Sequence, residues 1–548
     1  MHTRVLGGEA GRRGFFGRRA NRPRLIGLLI VAALGAVATI MLRTTGLALT
    51  AVGALLVFAA TTGTHHGSVL ARRAARRRWA ERLDTGTVAF VPVGDRPPGL
   101  SERTDPDAVR AWNTYRDWPD GAEGMYWLQR DRGRPGIAWH APTGEDAYLS
   151  VAFAVDGAIR GVADDRFLDT AATAFGDLLA RYGSPTSLAN RVQMLTRVVP
   201  VDSAFHEAWV WDALDWDTPD NTAGASGHEA LVASYDEVVR RVAAGGLAQR
   251  HYVAVRWPLT SAFTAAAARR GPAQAGWRAL MAAEIDTVTS HLRAARLGEV
   301  TALSAAQLAA VLRHLQHPSW PIDQAVDVDV DAPWVACEDE WSATRTYGPG
   351  PEDGPSSDGA AAGVQEWWHR TAVVPIEAVE TGPRTPLWLG PLLWGLPHPI
   401  IRTLSIQIEI VPAAVARHGA RTDLTADLAD LAAQREKGVL TDDELTVALA
   451  AARGRLDDLA PGSGHHGAAW VAHLSITAPT RADLLEATAK ISEAAGDAGI
   501  THLHWCDTQQ AAAMACCWPI ARGMAPVPAG PAAGIRGLLA GSGAKESM

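Results

Sequence analysis

Cysteine and lysine are both scarce in this 548-residue chain. The four cysteines (Cys337, Cys506, Cys516 and Cys517) are too few to build a disulfide-dependent fold. Three residues are lysine, and nearly all basic positions are therefore arginine. Hydrophobic residues make up 47% of the chain and charged residues 20%, which excludes wholesale disorder. At ~150 residues per domain, the length predicts three to four domains.

The motifs that mark common catalytic sites are also missing. The chain has no G-x-x-x-x-G-K-[ST] phosphate loop, no G-x-S-x-G elbow, no H-E-x-x-H and no C-x-x-C. The nearest approach to a phosphate loop is GSGAK at 541–545, which no strand precedes. We therefore expect a protein that is not an enzyme, with no catalytic, cofactor-binding or metal-binding residues and no cofactor.

Acidic residues are scarce at the start of the chain and abundant afterwards. Residues 1–82 hold fourteen arginines and only two acids, Glu9 and Glu81, which gives this segment a charge of +12. The total is −8, so residues 83–548 carry −20. Because a body this acidic repels a phosphate backbone, no direct nucleic-acid binding is expected.

Two uncharged apolar runs lie inside the arginine-rich segment, at 25–42 and 47–63. A membrane-spanning helix needs about 17–25 apolar residues, so each run is long enough. A signal peptide fits poorly, since no small-residue cleavage site is evident and a second run follows at once. A hairpin buried in a soluble core also fits poorly, since neither run has a polar face. The sequence predicts a two-span transmembrane hairpin.

Arginines on both sides of this hairpin predict its orientation. Six lie within the twenty residues before the first run, and five lie in 72–78 after the second. The connecting turn holds only Arg43. The positive-inside rule then predicts a multi-pass protein of the cell membrane with both termini cytoplasmic. The flanking arginines could also contact anionic lipid at roughly 1 kcal/mol each, although their role as topology signals explains them equally well.

Composition divides the chain into seven segments. The linker at 348–363, GPGPEDGPSSDGAAAG, is too rich in glycine, proline, serine and aspartate to bury a core. The predicted order is a basic cytoplasmic N-terminus (1–24), the transmembrane hairpin (25–63), a basic juxtamembrane segment (64–83), a cytoplasmic α+β unit (84–347), the linker (348–363), a second cytoplasmic α+β unit (364–525) and a flexible tail (526–548).

Both units alternate strands with helices, which predicts an α+β fold. The segment TLSIQIEI at 403–410 alternates apolar and polar residues and predicts a half-buried strand. Helices are predicted at 165–182, closed by Gly183, and from Ser304 to Gln316, capped by Ser304. A capping box at Thr441 predicts the start of another helix. The strand–helix–strand–helix order of 251–316 resembles that of 470–518, which suggests two ferredoxin-like units that arose by duplication.

Two groups of side chains suggest metal binding, and a simpler explanation is favoured for each. Asp327, Asp329 and Asp331 alternate, and Glu338 falls at the twelfth position, as in a calcium loop. However, Ala332 stands where the turn needs glycine, which favours a solvated acidic loop.

The second group consists of histidines and one cysteine. His502, His504 and Cys506 share one face of a predicted strand at 501–505 and its end, and His465, His466 and His473 surround another strand. Neutral histidines and thiols also pack well between a sheet and helices, and that interpretation is preferred. Cys516 and Cys517 are predicted to be small core residues. Tryptophans such as Trp367, Trp368, Trp388 and Trp394 are either interface anchors or core residues.

A family resemblance rests on three features taken together. They are the membrane hairpin, the strand RTLSIQIEI at 402–410, and a closing helix that begins Gln509-Gln510-Ala-Ala-Ala-Met and ends Trp518-Pro519-Ile520. The chain resembles actinobacterial membrane proteins of conjugation and type IV secretion-like systems. Its body is similar to the N-terminal, non-motor half of the type IV secretion ATPase. It departs from that pattern in having Trp518-Pro519 in place of Leu-Pro and a long insert at 413–462.

The resemblance implies a non-catalytic inner-membrane subunit that anchors and positions a separate motor ATPase. Its partners would be that motor, other membrane subunits of the complex and the lipid bilayer, and the chain could also self-associate. The first alternative is a type VII secretion component of the EccE kind, which also has a two-helix anchor and a cytoplasmic body. The second alternative is a membrane-bound enzyme that uses the histidine cluster or the acidic loop.

Overall fold

The computed structural model describes residues 3–6, 22–61, 68–100, 105–157, 164–184, 186–201, 210, 222–243, 246–323, 328–349, 364–396, 400–436 and 443–524. The linker beyond residue 349, residue Thr441 and the predicted tail at 526–548 lie outside these residues. The described part contains fourteen α-helices and sixteen strands. It is a mixed α+β structure built on one large, mostly antiparallel sheet.

The helices fall into an N-terminal group and those that pack on the sheet. They are α1 (Arg22–Leu42), α2 (Thr44–Thr61), α3 (Val69–Thr85), α4 (Pro106–Thr114), α5 (Asp165–Tyr182), α6 (Thr222–Ala243), α7 (Ser261–Ala268), α8 (Ala273–Ala294), α9 (Ala305–Gln316), α10 (Gly390–Leu393), α11 (Ala413–Glu436), α12 (Asp443–Asp458), α13 (Arg481–Asp497) and α14 (Gln510–Ala515).

The strands range from two to twelve residues. They are β1 (Arg4–Leu6), β2 (Ala89–Pro92), β3 (Tyr115–Arg116), β4 (Met125–Gln129), β5 (Ile137–His140), β6 (Tyr148–Val155), β7 (Arg191–Pro200), β8 (Leu247–Pro258), β9 (Val300–Ala302), β10 (Ala336–Asp339), β11 (Thr344–Pro349), β12 (Val364–Val374), β13 (Gly382–Arg384), β14 (Ile401–Val411), β15 (Gly467–Ala478) and β16 (His504–Trp505).

One sheet runs through both predicted units. Its order is β3-β2-β10-β11-β12-β15-β14-β7-β8-β6-β5-β4, with β16 beside β12 and β9 beside β6. All neighbours are antiparallel except β2 and β3. The two parts of the chain pair at two places. The strands on either side of the linker, β11 and β12, are neighbours, and β7 pairs with β14 over eight residues, from Arg191 opposite Glu409 to Val198 opposite Arg402. We call the β7–β14 pair the seam.

The arrangement of strands on one side of the seam matches the arrangement on the other side. On one side the order is β7, β8, β6 and β5, and β9 pairs with the part of β6 that β5 does not cover. On the other side the order is β14, β15, β12 and β11, and β16 pairs with the part of β12 that β11 does not cover. The helix–strand order predicted to recur at 251–316 and 470–518 is present, as β8-α8-β9-α9 and β15-α13-β16-α14.

Local sequence explains where several helices begin and end. Ser304 caps α9 as predicted: its hydroxyl accepts from the Gln307 amide, and the Gln307 side chain accepts from the Ser304 amide. Gly183 follows α5 as predicted, and its φ of −78° is an ordinary helical value. A Cβ at Gly183 would lie 2.3 Å from the His466 ring, so close packing is the reason for glycine here. The last strand and helix, β16 and α14, are shorter than predicted.

The hydrophobic core lies mainly on one face of the sheet. There α5 and α8 cover β6, β7 and β8, and α13 covers β12, β14 and β15. On the other face, α9 and α14 pack around Trp334 and Trp518, whose rings stack with centroids 5.6 Å apart. This second face is unusual because polar side chains occupy its centre.

The expected half-buried strand at 403–410 is present as β14, but the solvated face was assigned wrongly. Its polar residues are the more buried set: Thr403, Ser405 and Gln407 are fully buried and Glu409 is 8% exposed. Ile406 and Ile408 on the apolar face are only partly buried. The polar face is buried because the chain from α14 to Met524 lies across it. The alternation of apolar and polar residues along 403–410 therefore does place them on opposite faces of β14, but both the apolar and the polar face are covered.

A buried ion pair closes one end of the seam. Arg191 is 1% exposed, and its Nη2 donates to Glu409 Oε2 at 2.6 Å across the β7–β14 pairing. Nε and Nη1 of Arg191 have no hydrogen-bond partner among the described residues. The guanidinium therefore depends on Glu409 for neutralisation. Losing one partner of such a pair leaves a buried charge uncompensated.

Substitution of Glu409 tests this dependence. We expect Glu409→Gln to lower the free energy of unfolding by about 3 kcal/mol, because the Arg191 charge would stay buried without its counter-charge. The matched control is Glu237→Gln, which breaks the exposed Arg241–Glu237 pair at 2.8 Å. That loss should be below about 1 kcal/mol. Denaturant unfolding of the detergent-solubilised chain measures both, and equal effects would show that the seam pair carries no special stability.

Candidate functional site: an apolar helical hairpin and its junction with the sheet

Helices α1 and α2 form an antiparallel hairpin held together by close glycine contacts. A Cβ on Gly35 would lie 2.3 Å from Thr50 Oγ1, and one on Gly46 would lie 2.3 Å from the Ala38 carbonyl oxygen. Only glycine permits the backbones to approach so closely at these points. Small residues of this kind are typical of helix contacts inside membranes, where close packing replaces the hydrophobic effect.

Arg24 joins the two ends of the hairpin at its base. Its Nε donates to Thr61 Oγ1 at 3.2 Å, and its guanidinium lies 4.6 Å from the centre of the Phe58 ring. The start of α1 and the end of α2 are therefore at the same level. The charge stays at the edge of the apolar segment, where a long basic side chain can reach a polar surface.

The outer surface of the hairpin is apolar and exposed. In α2, only Gly46 and Thr61 are buried. By length and composition, one helix, Thr44–Thr61, is long and apolar enough to cross a membrane, and the apolar stretch Ile26–Leu42 is a little shorter. The exposed large side chains are Ile26, Leu29, Ile30, Leu34, Val37, Ile40, Met41, Leu42, Leu47, Leu49, Val52, Leu55, Leu56 and Phe58. Such a surface is far larger than the scattered apolar residues of a water-exposed helix.

The chain contacts the sheet-bearing body on both sides of the hairpin. Before it, β1 pairs antiparallel with β13, with Val5 opposite Pro383. After it, α3 packs on the body through Trp79, whose ring meets Trp341 edge-on at 6.0 Å. Both flanks of the hairpin therefore attach to the same body.

Arg82 forms the main polar junction between α3 and the body. Nη2 donates to Asp120 Oδ2 at 2.8 Å, and Nη1 donates to Asp339 Oδ2 at 2.8 Å. Nη1 also donates to the carbonyl of Thr508, just before α14. One guanidinium thus connects α3, strand β10 and the segment that leads to the end of the described chain.

Asp339 is the buried member of this junction. Its side chain is fully buried, and its Oδ1 accepts from the Ala511 amide at 2.8 Å. Burial raises its pKa to about 6, although Arg82 and the Ala511 amide both favour the charged form. Desolvation therefore outweighs the attraction of Arg82, and the carboxylate takes up a proton more readily than an exposed aspartate.

The raised pKa of Asp339 predicts a pH dependence of stability. Between about pH 4 and 6 the folded chain holds a proton at Asp339 that the unfolded chain has lost, so this contribution falls as the pH rises through the window. Relative to Asp339→Asn, the wild-type chain should lose about 3 kcal/mol of stability over that range. Unfolding curves at several pH values measure the difference. The exposed Asp107→Asn should follow the wild-type profile, and an equal pH profile for Asp339→Asn would contradict the assignment.

The C-terminal segment, residues 506–524, is fixed across the seam by side chains from both halves. Gln193 of β7 donates to the carbonyls of Cys516 and Trp518, and its oxygen accepts from the Ala521 amide at 2.8 Å. Ser405 of β14 also donates to the Cys516 carbonyl, at 2.9 Å. Because the bonds come from both strands, this segment closes over the join between the two parts of the chain.

The carboxylates of Asp329, Asp331 and Glu338, the described residues of the suggested calcium loop, do not converge on one point. Asp331 pairs with Arg130, and Glu338 pairs with Arg345 at 2.7 Å. Asp329 Oδ1 accepts a hydrogen bond from the Asp331 amide, and Asp327 lies outside the described residues. Within the described ranges, no group of three or more histidine, cysteine, aspartate or glutamate side chains is placed to hold a metal ion.

The histidine and cysteine residues are also separated. His502 and His504 are exposed, whereas Cys506 is buried, so the three do not converge. His465 is exposed and His466 is partly buried, while His473 is buried in the polar face, where burial lowers its pKa to about 4. The packing interpretation therefore holds for His473 but not for the exposed histidines. All four cysteines are buried, as expected for Cys516 and Cys517.

The tryptophans divide between core and surface. Trp368 and Trp388 pack against the hydrophobic core beside β12 and α13. Trp367 donates to Ser319 Oγ at 2.9 Å and so joins the two parts of the chain. Trp394 is 51% exposed. The structure therefore makes two of these residues partly buried packing residues and leaves Trp394 available as a surface contact.

A cleft of about 360 Å³ lies beside the C-terminal segment. Its charged lining residues are Glu123, Glu145 and Arg522. Arg522 donates to the carbonyls of Gly121 and Glu123, so its charge is engaged in holding the segment. The cleft therefore combines both signs of charge without a convergent set of catalytic groups.

The sequence argument missed Arg82 and the buried polar face. Arg82 was grouped with the basic juxtamembrane residues, yet Ala75, Trp79 and Arg82 form one stripe at helical spacing that faces the body. The polar face of β14 was taken as solvated, although Thr403, Ser405 and Gln407 are uncharged. Their short, neutral side chains were the available signal of burial, because solvated strand faces usually carry longer charged residues.

No protein-family model matches the chain, and the search of curated proteins found no significant similarity. The functional argument therefore rests on the residues and contacts described above.

Proposed function

We propose that the chain is a non-catalytic, two-span membrane subunit of a type IV secretion or conjugation-like complex, which anchors and positions a separate motor ATPase. The observation that carries the proposal is a hairpin with an exposed apolar surface and with both flanks attached to one body. A lipid bilayer is the environment that removes such a surface from water. The attachment of both flanks to the body favours a hairpin with both ends on one side.

The charge pattern supports a cytoplasmic body. Eleven arginines flank the two apolar runs, and Arg43 alone lies in the turn. Arg43 and Thr45 are exposed at the tip, opposite the base formed by Arg24 and Thr61. The positive-inside rule then places the base, β1, α3 and the sheet in the cytoplasm.

We further propose that the body consists of two ferredoxin-like units that arose by duplication and are joined at the seam. The pairing orders β9-β6-β8-β7 and β16-β12-β15-β14 both correspond to the antiparallel 4-1-3-2 order of that fold. A Val-Pro pair marks the end of both seam strands, with Pro200 as the last residue of β7 and Pro412 directly after β14. The paired residues Met194 and Ile406 each lie six positions before that proline. Trp-Pro-Ile follows both α9 and α14, at Trp320 and Trp518.

The proposed orientation predicts which positions a membrane-impermeant thiol reagent can reach. Cysteine placed at Thr45 should react in whole cells, because it lies at the exposed tip on the outer side of the membrane. Cysteine placed at Ser68 should react only after the cells are opened. The four native cysteines are buried, so labelling of the unsubstituted chain provides a low background control. The reverse pattern would overturn both the orientation and the proposed anchoring role.

The anchoring role predicts how a motor would distribute in the cell. Deleting 22–61 removes the hairpin but keeps β1, α3 and Arg82. The motor should then leave the membrane fraction while still co-purifying with the truncated chain. Replacing 22–61 with an unrelated two-span hairpin should return it to the membrane, because tethering raises the local concentration of the binding surface. A motor that stays with the membrane in cells lacking this protein would refute the proposal.

The choice of deletion matters because the two units share one sheet. The resemblance suggests the downstream unit, 364–525, as the motor-binding surface, since the motor follows that unit in the fused proteins. Removing it would also remove β14 and expose the edge of β7. Exposed substitutions such as Trp394→Ala are therefore the better probe of this surface, with Leu485→Ala as a comparison.

The two alternative functions predict observations that differ from those of the proposed subunit. A type VII component of the EccE kind would be encoded beside type VII substrates rather than beside a type IV-like ATPase. A membrane-bound enzyme that uses the histidine cluster or the acidic loop would hold a metal there. About one metal ion per purified chain, lost on substituting His502 and His504, would favour the enzyme and overturn the non-catalytic assignment.

A further inference from the structure

We propose that the outer face of α3 binds the anionic phospholipid headgroups of the membrane that holds the hairpin, while its inner face carries the body. This inference rests on the membrane-anchored function proposed above. It adds a lipid partner and a way to fix the orientation of the body against the bilayer.

The two faces of α3 differ in burial. Between residues 72 and 85, only Ala75, Trp79 and Arg82 are partly buried, and all the others are exposed. These three are four and three residues apart and so form one stripe on the helix. Trp79 and Arg82 make the contacts with Trp341, Asp120 and Asp339 that were described above. This inner face is already occupied by the body.

The outer face is basic and has no partner among the residues that the structure describes. At 100° per residue, Arg73 and Arg77 lie opposite the inner stripe, and Arg76 lies beside them. Arg72, Arg73, Arg76, Arg77 and Arg78 are all exposed and make no hydrogen bond or ion pair with the described residues. By contrast, Arg116, Arg191 and Arg345 of the body all pair with carboxylates.

The position of α3 favours lipid over other anions. It begins at Val69, eight residues after α2 ends at Thr61, and the two helices are in contact. A basic helix so close to a membrane span lies within reach of the negative surface potential of the bilayer. Nucleic acid would approach the same arginines past a body of charge −20, which repels it. Anionic headgroups are therefore the partner that these observations fit.

A fluorescent probe at residue 80 tests this contact in the full chain. Ala80 is exposed on the outer face, and a dye on Ala80→Cys can transfer energy to acceptors attached to lipid headgroups. The chain is reconstituted in nanodiscs of phosphatidylcholine alone or mixed with phosphatidylglycerol. We expect higher transfer with phosphatidylglycerol, decreasing with salt. A dye on the exposed Ala282 of α8 provides the control for non-specific changes.

Charge variants decide whether the arginines cause the effect. Each arginine should change the ratio of lipid-bound to unbound α3 about fivefold, so the triple variant R73Q/R76Q/R77Q should lower it roughly 100-fold. The matched R73K/R76K/R77K variant keeps the charge and should retain the response. Equal transfer in both lipids, or an unchanged response in the glutamine variant, would overturn the proposal. The proposal would also be overturned if a DNA duplex shields the probe at residue 80 from solvent more than phosphatidylglycerol does.

The outcome is separable from the proposed anchoring function. Nanodiscs expose both leaflets, so the probe at residue 80 does not depend on the orientation in cells. If cysteine at Thr45 is labelled as expected but the residue 80 probe does not respond to lipid charge, only the headgroup contact is wrong. If Thr45 is not labelled, the membrane orientation itself is wrong.

Discussion

Backbone pairing between β7 and β14 brings together polar side chains that neither half of the sheet could bury alone. Arg191 and Gln193 come from one strand, and Ser405, Gln407 and Glu409 come from the other. Once these groups lie on a covered face, each needs a partner, because an unpaired buried polar group costs about 1–3 kcal/mol. The backbone of the C-terminal segment supplies partners for Gln193 and Ser405, whereas the side-chain amide of Gln407 has none among the described residues. The seam therefore determines where residues 506–524 must lie.

The same segment links the seam to α3, the helix that follows the apolar hairpin. Gln193 and Ser405 bind the carbonyl of Cys516, and Arg82 binds the carbonyl of Thr508 eight residues earlier. Asp339 connects them, because it binds both Arg82 and the Ala511 amide. A displacement of α3 must therefore disturb either this network or the segment itself. Tightly packed, hydrogen-bonded elements transmit such displacements because they cannot deform gradually.

Regular patterns made much of the fold predictable. Local periodicity or capping indicated the helices at 165–182 and from Ser304 to Gln316 and the strand at 403–410. The apolar runs at 25–42 and 47–63 were indicated by their uncharged length. The seam was not indicated, because pairing between residues 191–198 and 402–409 is a long-range choice that no local signal determines. The burial of Thr403, Ser405 and Gln407 follows from that choice. Arg82 was missed for the same reason, since both of its carboxylate partners are distant in sequence.

Arginines occur in two different environments in this chain: some are paired within the body, and others are exposed on the outer face of α3. Several arginines of the body lie beside carboxylates or carbonyls, as Arg402 lies beside the carbonyls of Leu392 and Leu393. Burial lowers the pKa of Arg402 to about 10, so it stays charged and must keep those acceptors. The arginines on the outer face of α3 have no such acceptors among the described residues. A charged group that the fold leaves unpaired loses no hydration, and it is free to meet an anionic surface at little desolvation cost. Arginine thus stabilises the interior where it is paired, and on the outer face of α3 its unpaired charge can contact an anionic surface.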